Sequence, residues 1–153
     1  MRNKEQITCS LNRVARLVHG NGIAAIQKRK FRATTNSRHD YPVWPNLLNR
    51  NFIVARPNTV WVSDITYIWT FEGWLYLAAI LDLFSRGVVG LAMDKTIAET
   101  LTLQALKQAI LRRSQPKELV YHSDRGVQYA ANDFKALLAQ QEFIDSMCKK
   151  GDC

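Results

Sequence analysis

The fold of this chain is decided by residues 60–81, which read VWVSDITYIWTFEGWLYLAAIL. The first ten of these residues are rich in β-branched and aromatic side chains, and both faces of the run are largely apolar, which is typical of a central strand. Phe71-Glu72-Gly73 predicts a hairpin turn. The run from Trp74 to Leu81 therefore predicts a second strand that returns beside the first.

The sequence beyond this hairpin predicts a mixed α/β domain. Residues 87–92 favour a third strand, and Thr96-Ile97-Ala98-Glu99 fits a capping box that opens a helix, which Pro116 cannot continue. Residues 118–122 predict a short fourth strand, and Phe134, Leu137 and Leu138 mark a second amphipathic helix. The order β-β-β-α-β-α indicates a sheet with flanking helices.

The sequence before the hairpin has a different character. Residues 10–18 place Leu11, Val14, Ala15 and Val18 on one stripe of a predicted helix, which Gly20 and Gly22 end. A polar and basic segment follows, which includes Lys28, Arg29, Lys30, Arg32 and Arg38. We therefore divide the chain into a helical segment at 1–22, a basic linker at 23–56 and a compact domain at 57–153.

The net positive charge of the chain lies entirely in the N-terminal third. Residues 1–55 hold ten Lys or Arg and two acids, a net charge of +8, whereas residues 56–153 hold eleven of each sign. A basic arm beside a neutral domain suits a partner with a phosphate backbone, since each cation placed on a phosphate releases a counterion. A solvated arm without a specific partner is the alternative, and charge alone favours neither.

The composition limits the possible classes of protein. A chain of 153 residues with 47% hydrophobic residues is long enough for one α/β core and a small appendage. No apolar run reaches the length of a membrane span, and the first residues do not form a secretory signal. Cys9, Cys148 and Cys153 lack metal-ligand spacing, and we expect them to be reduced thiols of a cytoplasmic protein.

Two carboxylates are candidates for a metal site. Asp64 lies in the middle of the first predicted strand, and Asp124 follows the fourth, at the strand end where open α/β sheets place their sites. Carboxylates brought together on neighbouring strands bind hard divalent cations. Alternatively, Asp64 forms a salt bridge in the core and Asp124 only caps its loop. These two positions alone leave both interpretations open.

Five sequence motifs, found in this order along the chain, indicate a family resemblance. They are Trp61-Val62-Ser63-Asp64-Ile65-Thr66-Tyr67-Ile68, Glu72-Gly73-Trp74-Leu75-Tyr76-Leu77, Leu81-Asp82-Leu83-Phe84-Ser85-Arg86, His122-Ser123-Asp124-Arg125-Gly126-Val127-Gln128-Tyr129 and Ser146-Met147-Cys148-Lys149-Lys150-Gly151-Asp152-Cys153. The chain resembles bacterial insertion-sequence transposases whose catalytic half is similar to retroviral integrase. The resemblance implies an RNase H-like fold for the domain and a remnant of a helix-turn-helix-like module at 1–22.

The resemblance also implies a mechanism. The first two catalytic aspartates of the family fall on Asp64 and Asp124, which would hold two Mg²⁺ or Mn²⁺ ions for transfer of a DNA strand. The third catalytic residue, a Glu, falls beyond Cys153. We therefore expect the chain to be inactive alone. The implied partners are DNA, namely transposon ends and target, and a second copy or a full-length transposase, in the bacterial cytoplasm and without a membrane.

Two other functions remain as alternatives. A non-catalytic DNA-binding fragment could interfere with a full-length transposase, and it would differ from the leading interpretation only in lacking a working metal site. An RNase H-like nuclease acting on RNA–DNA hybrids is the second alternative, which the words around Asp64 and Asp124 disfavour.

The remaining marked residues receive structural or auxiliary roles. We interpret Asp82 as a hydrogen-bonding structural residue and His122 as either a phosphate or metal contact or a residue that orients its loop. His19 and His39 lack the cysteines that a zinc module needs. Arg125 is the side chain beside the site that is best placed for DNA, or else it holds its own loop. The tryptophans Trp61, Trp69 and Trp74 are predicted to be core residues.

Overall fold

A computed structural model describes residues 10–23, 41–114 and 116–149. The chain divides into two compact units, residues 1–33 and residues 34–153. In the first unit, helix α1 (Leu11–Gly20) starts at Ser10, whose hydroxyl accepts a hydrogen bond from the Arg13 amide at 3.4 Å. Gly22 has a φ of +63° just after the helix ends, as the glycine pattern predicts. No residue of α1 is buried within the described residues.

The second unit is built on a sheet of five strands. The strands are β1 (Val60–Thr70), β2 (Gly73–Asp82), β3 (Val88–Asp94), β4 (Val120–Ser123) and β5 (Ile144–Met147). Their spatial order is β3-β2-β1-β4-β5, in which β2 is antiparallel to β1 and β3, whereas β4 is parallel to β1 and β5. The three helices of this unit are α2 (Glu99–Arg112), α3 (Val127–Ala130) and α4 (Asn132–Gln140).

The helices bury one face of the sheet. The buried core includes Trp61 and Ile80 of the sheet, Leu106 of α2 and Phe134 of α4. On the opposite face the side chains are less protected: Leu75, Leu77 and Leu81 are only half-buried, and Met93 is 54% exposed. The mixed α/β architecture is the predicted one, but β5 and α3 are additional elements that the sequence pattern did not indicate.

The predicted capping box at the start of α2 is wrong. Thr96 binds Asp94 Oδ1 through both its amide and its hydroxyl, and α2 begins three residues later without a side-chain cap. Glu99 instead reaches across to α4, where its Oε1 accepts a hydrogen bond from the Phe134 amide at 3.2 Å. This contact serves an amide in the first turn of α4, whose N-cap residue Ala131 has no side-chain acceptor.

The prediction of three core tryptophans is correct only for Trp61, which is fully buried. Trp69 and Trp74 are 68% and 38% exposed, and their rings pack edge to face at 4.9 Å near the tip of the β1–β2 hairpin. They face each other across the ladder, which stabilises the hairpin without core burial.

Residues 41–48, which we call the strap, run along the outer side of β5 and α4. The Met147 amide donates to the Pro45 carbonyl at 3.4 Å, and the Leu47 amide donates to Ser146 Oγ at 3.0 Å. Lys135 of α4 donates to the Pro42 carbonyl at 2.8 Å, and its ammonium lies about 6 Å from the ring of Trp44. The strap is therefore part of the second unit.

No helix within residues 10–23, 41–114 and 116–149 combines the length and the apolar character that a membrane crossing requires.

The packing of α2 on β3 depends on Gly90. A methyl group at this position would overlap the carbonyl oxygen of Ala105 and lie 2.9 Å from Ala109 Cβ. We expect Gly90→Ala to lower the free energy of unfolding by about 1–3 kcal/mol, as overpacking does, in urea titrations. Gly87→Ala is the control, because its methyl would meet only the flexible Ser85 side chain. Equal stability of the two variants would contradict the close packing.

Candidate metal centre

The pairing of β1 with β4 brings Asp64 and Asp124 together. The parallel register joins Val60 with Val120, Trp61 with Tyr121 and Val62 with His122, and the pairing ends there. Asp64 and Asp124 each lie two residues beyond the last pair, and both line the same small cavity. Asp64 is exposed and Asp124 is half-buried. The alternative of an Asp64 salt bridge in the core is therefore wrong.

Past the end of β4, side-chain hydrogen bonds hold the segments that contain Asp64 and Asp124 in place. Asp124 Oδ1 accepts from the Gly126 amide at 2.8 Å, which bends the chain into α3. One residue before Asp64, Ser63 Oγ lies 2.9 Å from the hydroxyl of Tyr129 in a buried contact. This bond connects β1 to α3 where the backbone ladder no longer does. The Asp124 carboxylate is thus held by its own loop, and the strand residue next to Asp64 is held by α3.

Asp64 and Asp124 line one small cavity between β1 and α3. The other lining residues are Ile65, Tyr67, Ile97, Gln128 and Tyr129. Burial raises the pKa of Tyr67 and of Tyr129, and the negative charges of Asp124 and Asp64 raise both further. The two phenols are therefore neutral at physiological pH, and the carboxylates lie close enough to act on both of them.

The donor set fits a hard divalent cation. Asp64 and Asp124 both line the cavity, and carboxylate oxygens are ligands that such ions take. Within the described part of the chain, no group of three or more His, Cys, Asp or Glu side chains is placed to hold a metal ion. Among the described residues, the candidate metal site therefore consists of two carboxylates, those of Asp64 and Asp124.

Comparison with known proteins identifies the architecture. The integrase core domain family matches residues 54–153, which include the whole sheet and both aspartates. The chain belongs to this family.

Its curated relatives are insertion-sequence proteins of bacteria. This integrase core protein is 47% identical over 142 residues to the "Insertion element IS600 uncharacterized 31 kDa protein" of Shigella sonnei, a match covering 93% of this chain and 52% of the relative. It is 41% identical over 140 residues to the "Transposase InsF for insertion sequence IS3A" of Escherichia coli strain K12, covering 92% and 49%. The chain spans about half the length of these relatives.

Solved structures share the fold. The catalytic core domain of HTLV-2 integrase, solved in complex with magnesium, is 24% identical, covers 60% of each chain and gives a TM-score of 0.53. A simian T-cell lymphotropic virus intasome, solved in complex with the PP2A regulatory subunit B56 gamma, is 21% identical, covers 74% of this chain and 38% of that chain, and gives 0.56. The predicted RNase H-like fold is confirmed.

His122 of the integrase core is a buried structural residue in this arrangement. Its Nδ1 lies 2.9 Å from Ser146 Oγ and its Nε2 lies 3.3 Å from Cys148 Sγ, so both ring nitrogens have partners on or beside β5. Burial lowers the pKa of His122, which favours the neutral ring. Of the two predicted roles, orientation of the loop agrees with these contacts.

Cys148 corrects the expectation of reduced thiols, because it is disulfide-bonded in the structure. Sequence spacing does not show which cysteines folding brings together. Cys9 and Cys153 lie outside the described residues, as do His39 and the basic residues Lys28, Arg29, Lys30, Arg32 and Arg38.

Arg125 and Asp82 both have structural contacts. Arg125 Nε donates to the Cys148 carbonyl at 2.7 Å, which holds the loop after β4 against the residue after β5. Asp82 is fully buried at the other end of the sheet, where it accepts from Asn58 and from the amide and hydroxyl of Ser85. Burial alone would raise the pKa of Asp82, but these hydrogen bonds lower it below its usual value. The structural role predicted for Asp82 agrees with these contacts.

Two residues beside the carboxylates, Gln128 and Tyr129, were not singled out from the sequence. A sequence signal for them was nonetheless present. The polar residue 128 and the phenol at 129 follow closely on Asp124, the candidate metal ligand after the fourth strand. Their importance depends on α3, which at four residues is too short for its periodicity to be recognised.

The Ser63–Tyr129 bond can be tested by a double-mutant cycle. We expect Ser63→Ala and Tyr129→Phe each to lower the free energy of unfolding by about 1 kcal/mol, since each removes one partner of a buried hydrogen bond. The double variant should lose little more than one single variant does. Tyr76→Phe serves as the control. Additive losses in urea titrations would show that the two hydroxyls do not interact.

Proposed function

We propose that this chain is the metal-binding core of a DNA strand-transfer enzyme of the insertion-sequence type. The observation that carries the proposal is that Asp64 and Asp124, each two residues beyond the last β1–β4 pair, line one cavity. The proposal draws further support from the match to the integrase core family and from relatives that are named transposases. The substrate would be a DNA phosphodiester.

Asp64 and Asp124 would hold Mg²⁺ or Mn²⁺, with their carboxylate oxygens as ligands. When bound, the metal supplies activation of an attacking oxygen and stabilisation of the oxygen that leaves. The protein contributes position and charge. The Gly126 amide fixes the orientation of Asp124, and the Ser63–Tyr129 bond fixes β1 against α3. The neutral tyrosines beside the site add no opposing charge.

We further propose that the 153-residue chain does not transfer strands on its own. The described residues offer two carboxylates to the ion and no third ligand of the His, Cys, Asp or Glu type in a common cluster. A pair of ligands leaves a second ion weakly held and poorly placed. This proposal follows the family resemblance, which implies a third catalytic residue, a Glu.

Activity can be tested with two forms of the protein. One is the 153-residue chain, and the other is a chimera that continues into the remaining part of the 31 kDa Shigella sonnei relative. We expect no strand transfer by the chain in Mg²⁺ or Mn²⁺, and activity in the chimera that falls at least about 10³-fold in Asp64→Ala and Asp124→Ala. The assay would follow a labelled transposon-end oligonucleotide into supercoiled plasmid.

Asp133→Ala is the matched control, because Asp133 is an exposed carboxylate in the first turn of α4 and does not line the cavity. Its activity should equal that of the unchanged chimera. Full activity in Asp64→Ala would remove the basis of the proposed function, and metal-dependent activity of the chain alone would refute the need for a third ligand.

We propose that the basic linker, through Lys28, Arg29, Lys30, Arg32 and Arg38, contacts the DNA backbone together with Arg125. We call these five linker residues the arm. We expect four simultaneous Ala replacements, at Lys28, Arg29, Lys30 and Arg32, to weaken DNA binding irrespective of sequence. The slope of log affinity against log salt should become shallower by about 0.9 for each phosphate that the arm no longer neutralises. Fluorescence anisotropy across a salt series measures both quantities.

The control for the arm removes four exposed cations from the compact domain, at Arg86, Lys107, Arg112 and Lys117. This variant has the same net charge as the arm variant, so net charge alone predicts equal effects. An unchanged salt slope in the arm variant would exclude the arm as the DNA contact.

A further inference from the structure

Gln128 belongs to α3 and lines the same cavity as Asp64 and Asp124. Its side chain is almost fully buried, since the residue is only 7% exposed. A buried amide is costly unless both of its polar groups find partners. The metal chemistry of the two carboxylates gives this side chain no role.

One half of the amide has a partner that orients it. Gln128 Nε2 donates to the carbonyl of Ile97 at 3.2 Å, in the segment just before α2. Rotating the amide by 180° would place two acceptor oxygens against each other, so the contact with Ile97 decides which side is nitrogen. The carbonyl oxygen Oε1 is consequently turned away from Ile97.

The other half of the amide has no partner. Gln128 Oε1 is buried and receives no hydrogen bond from the described residues. Unpaired buried acceptors are uncommon in folded proteins, and they occur where a catalytic role, an ion or a bound water requires them. Because Gln128 lines the cavity beside Asp64 and Asp124, a donor to this oxygen would occupy that cavity.

The size of that cavity limits what the donor is. Its volume of about 10 Å³ leaves room for a single water molecule, so the cation itself would bind where Asp64 is exposed to solvent. Two of its walls are the carboxylates of Asp64 and Asp124. A water bound to a divalent cation is a stronger donor than free water, because the ion withdraws electron density from its oxygen.

We propose that Gln128 is a positioning residue whose Oε1 accepts a hydrogen bond from a water bound to the cation at Asp64 and Asp124. The inference rests on the proposed function, because it presupposes that this pair binds a cation. A neutral amide suits the role, since it orients the bound water without adding a third negative charge. Gln128 thereby acts through the water and not as a direct ligand.

Binding of Mn²⁺, measured by the electron paramagnetic resonance of the free ion, tests the role without an activity assay. Gln128→Met removes both polar groups at similar volume, whereas Gln128→Glu keeps an acceptor oxygen but cannot donate to Ile97. We expect about tenfold weaker Mn²⁺ binding in Gln128→Met, the size typical for removal of a group that supports metal ligands. Gln128→Glu should bind Mn²⁺ at least as tightly as the unchanged chain.

Gln108→Met, on an exposed position of α2, is the matched control and should bind Mn²⁺ normally. Equal weakening in Gln128→Met and Gln128→Glu would assign the effect to the missing hydrogen bond with Ile97 and overturn the proposal. Unchanged binding in Gln128→Met would overturn it as well. If instead Asp64→Ala leaves Mn²⁺ binding unaltered, the proposed function fails and not only this role of Gln128.

A second measurement remains decisive if Gln128→Met does not fold. Electron–nuclear double resonance of bound Mn²⁺, in protein labelled with ¹³C at the glutamine amide carbonyls, detects a carbonyl carbon near the ion. We expect a coupling in the unchanged chain that is absent from Gln128→Glu, which carries no labelled amide at this position. Spectra without such a coupling would place the Gln128 carbonyl away from the ion and contradict the proposal.

Discussion

The parallel pairing of β1 with β4 is the constraint on which the rest of the second unit depends. Only three residue pairs form it, and it ends at Val62 and His122. Two residues beyond this last pair the chain places Asp64 and Asp124, which line one cavity. Beyond that point side-chain contacts take over: the Gly126 amide holds Asp124, and the Ser63–Tyr129 bond holds β1 to α3.

Much of this fold could be predicted from the sequence because long apolar runs leave few alternatives. The strands β1, β2 and β3 and the helix α2 were predicted close to their observed bounds, since each buries a recognisable face. The four-residue strand β5 was missed, because its identity comes from pairing with β4 and not from its own pattern. Glu99 was assigned to the wrong cap for the same reason, since its true partner, the Phe134 amide, lies 35 residues away in the chain.

The candidate site was predictable to a similar extent. Asp64 and Asp124 stand out by their strand positions and by the family words around them, so a sequence is enough to name them. Gln128 and Tyr129 become visible only when α3 is placed against β1, because their roles depend on contacts with Ile97 and Ser63. Sequence reasoning therefore finds the groups that bind the ion more readily than the groups that orient them.

The strap has a consequence for how this molecule meets others. A sheet ends in strands whose outward amides and carbonyls can recruit a neighbouring chain and start aggregation. At β5 the Pro45 carbonyl already accepts from the Met147 amide. Proline has no amide hydrogen, so the strap closes this edge and offers no donor at Pro42 or Pro45 for a further strand. One border of the sheet is thus protected against growth by a segment that precedes the domain in the chain.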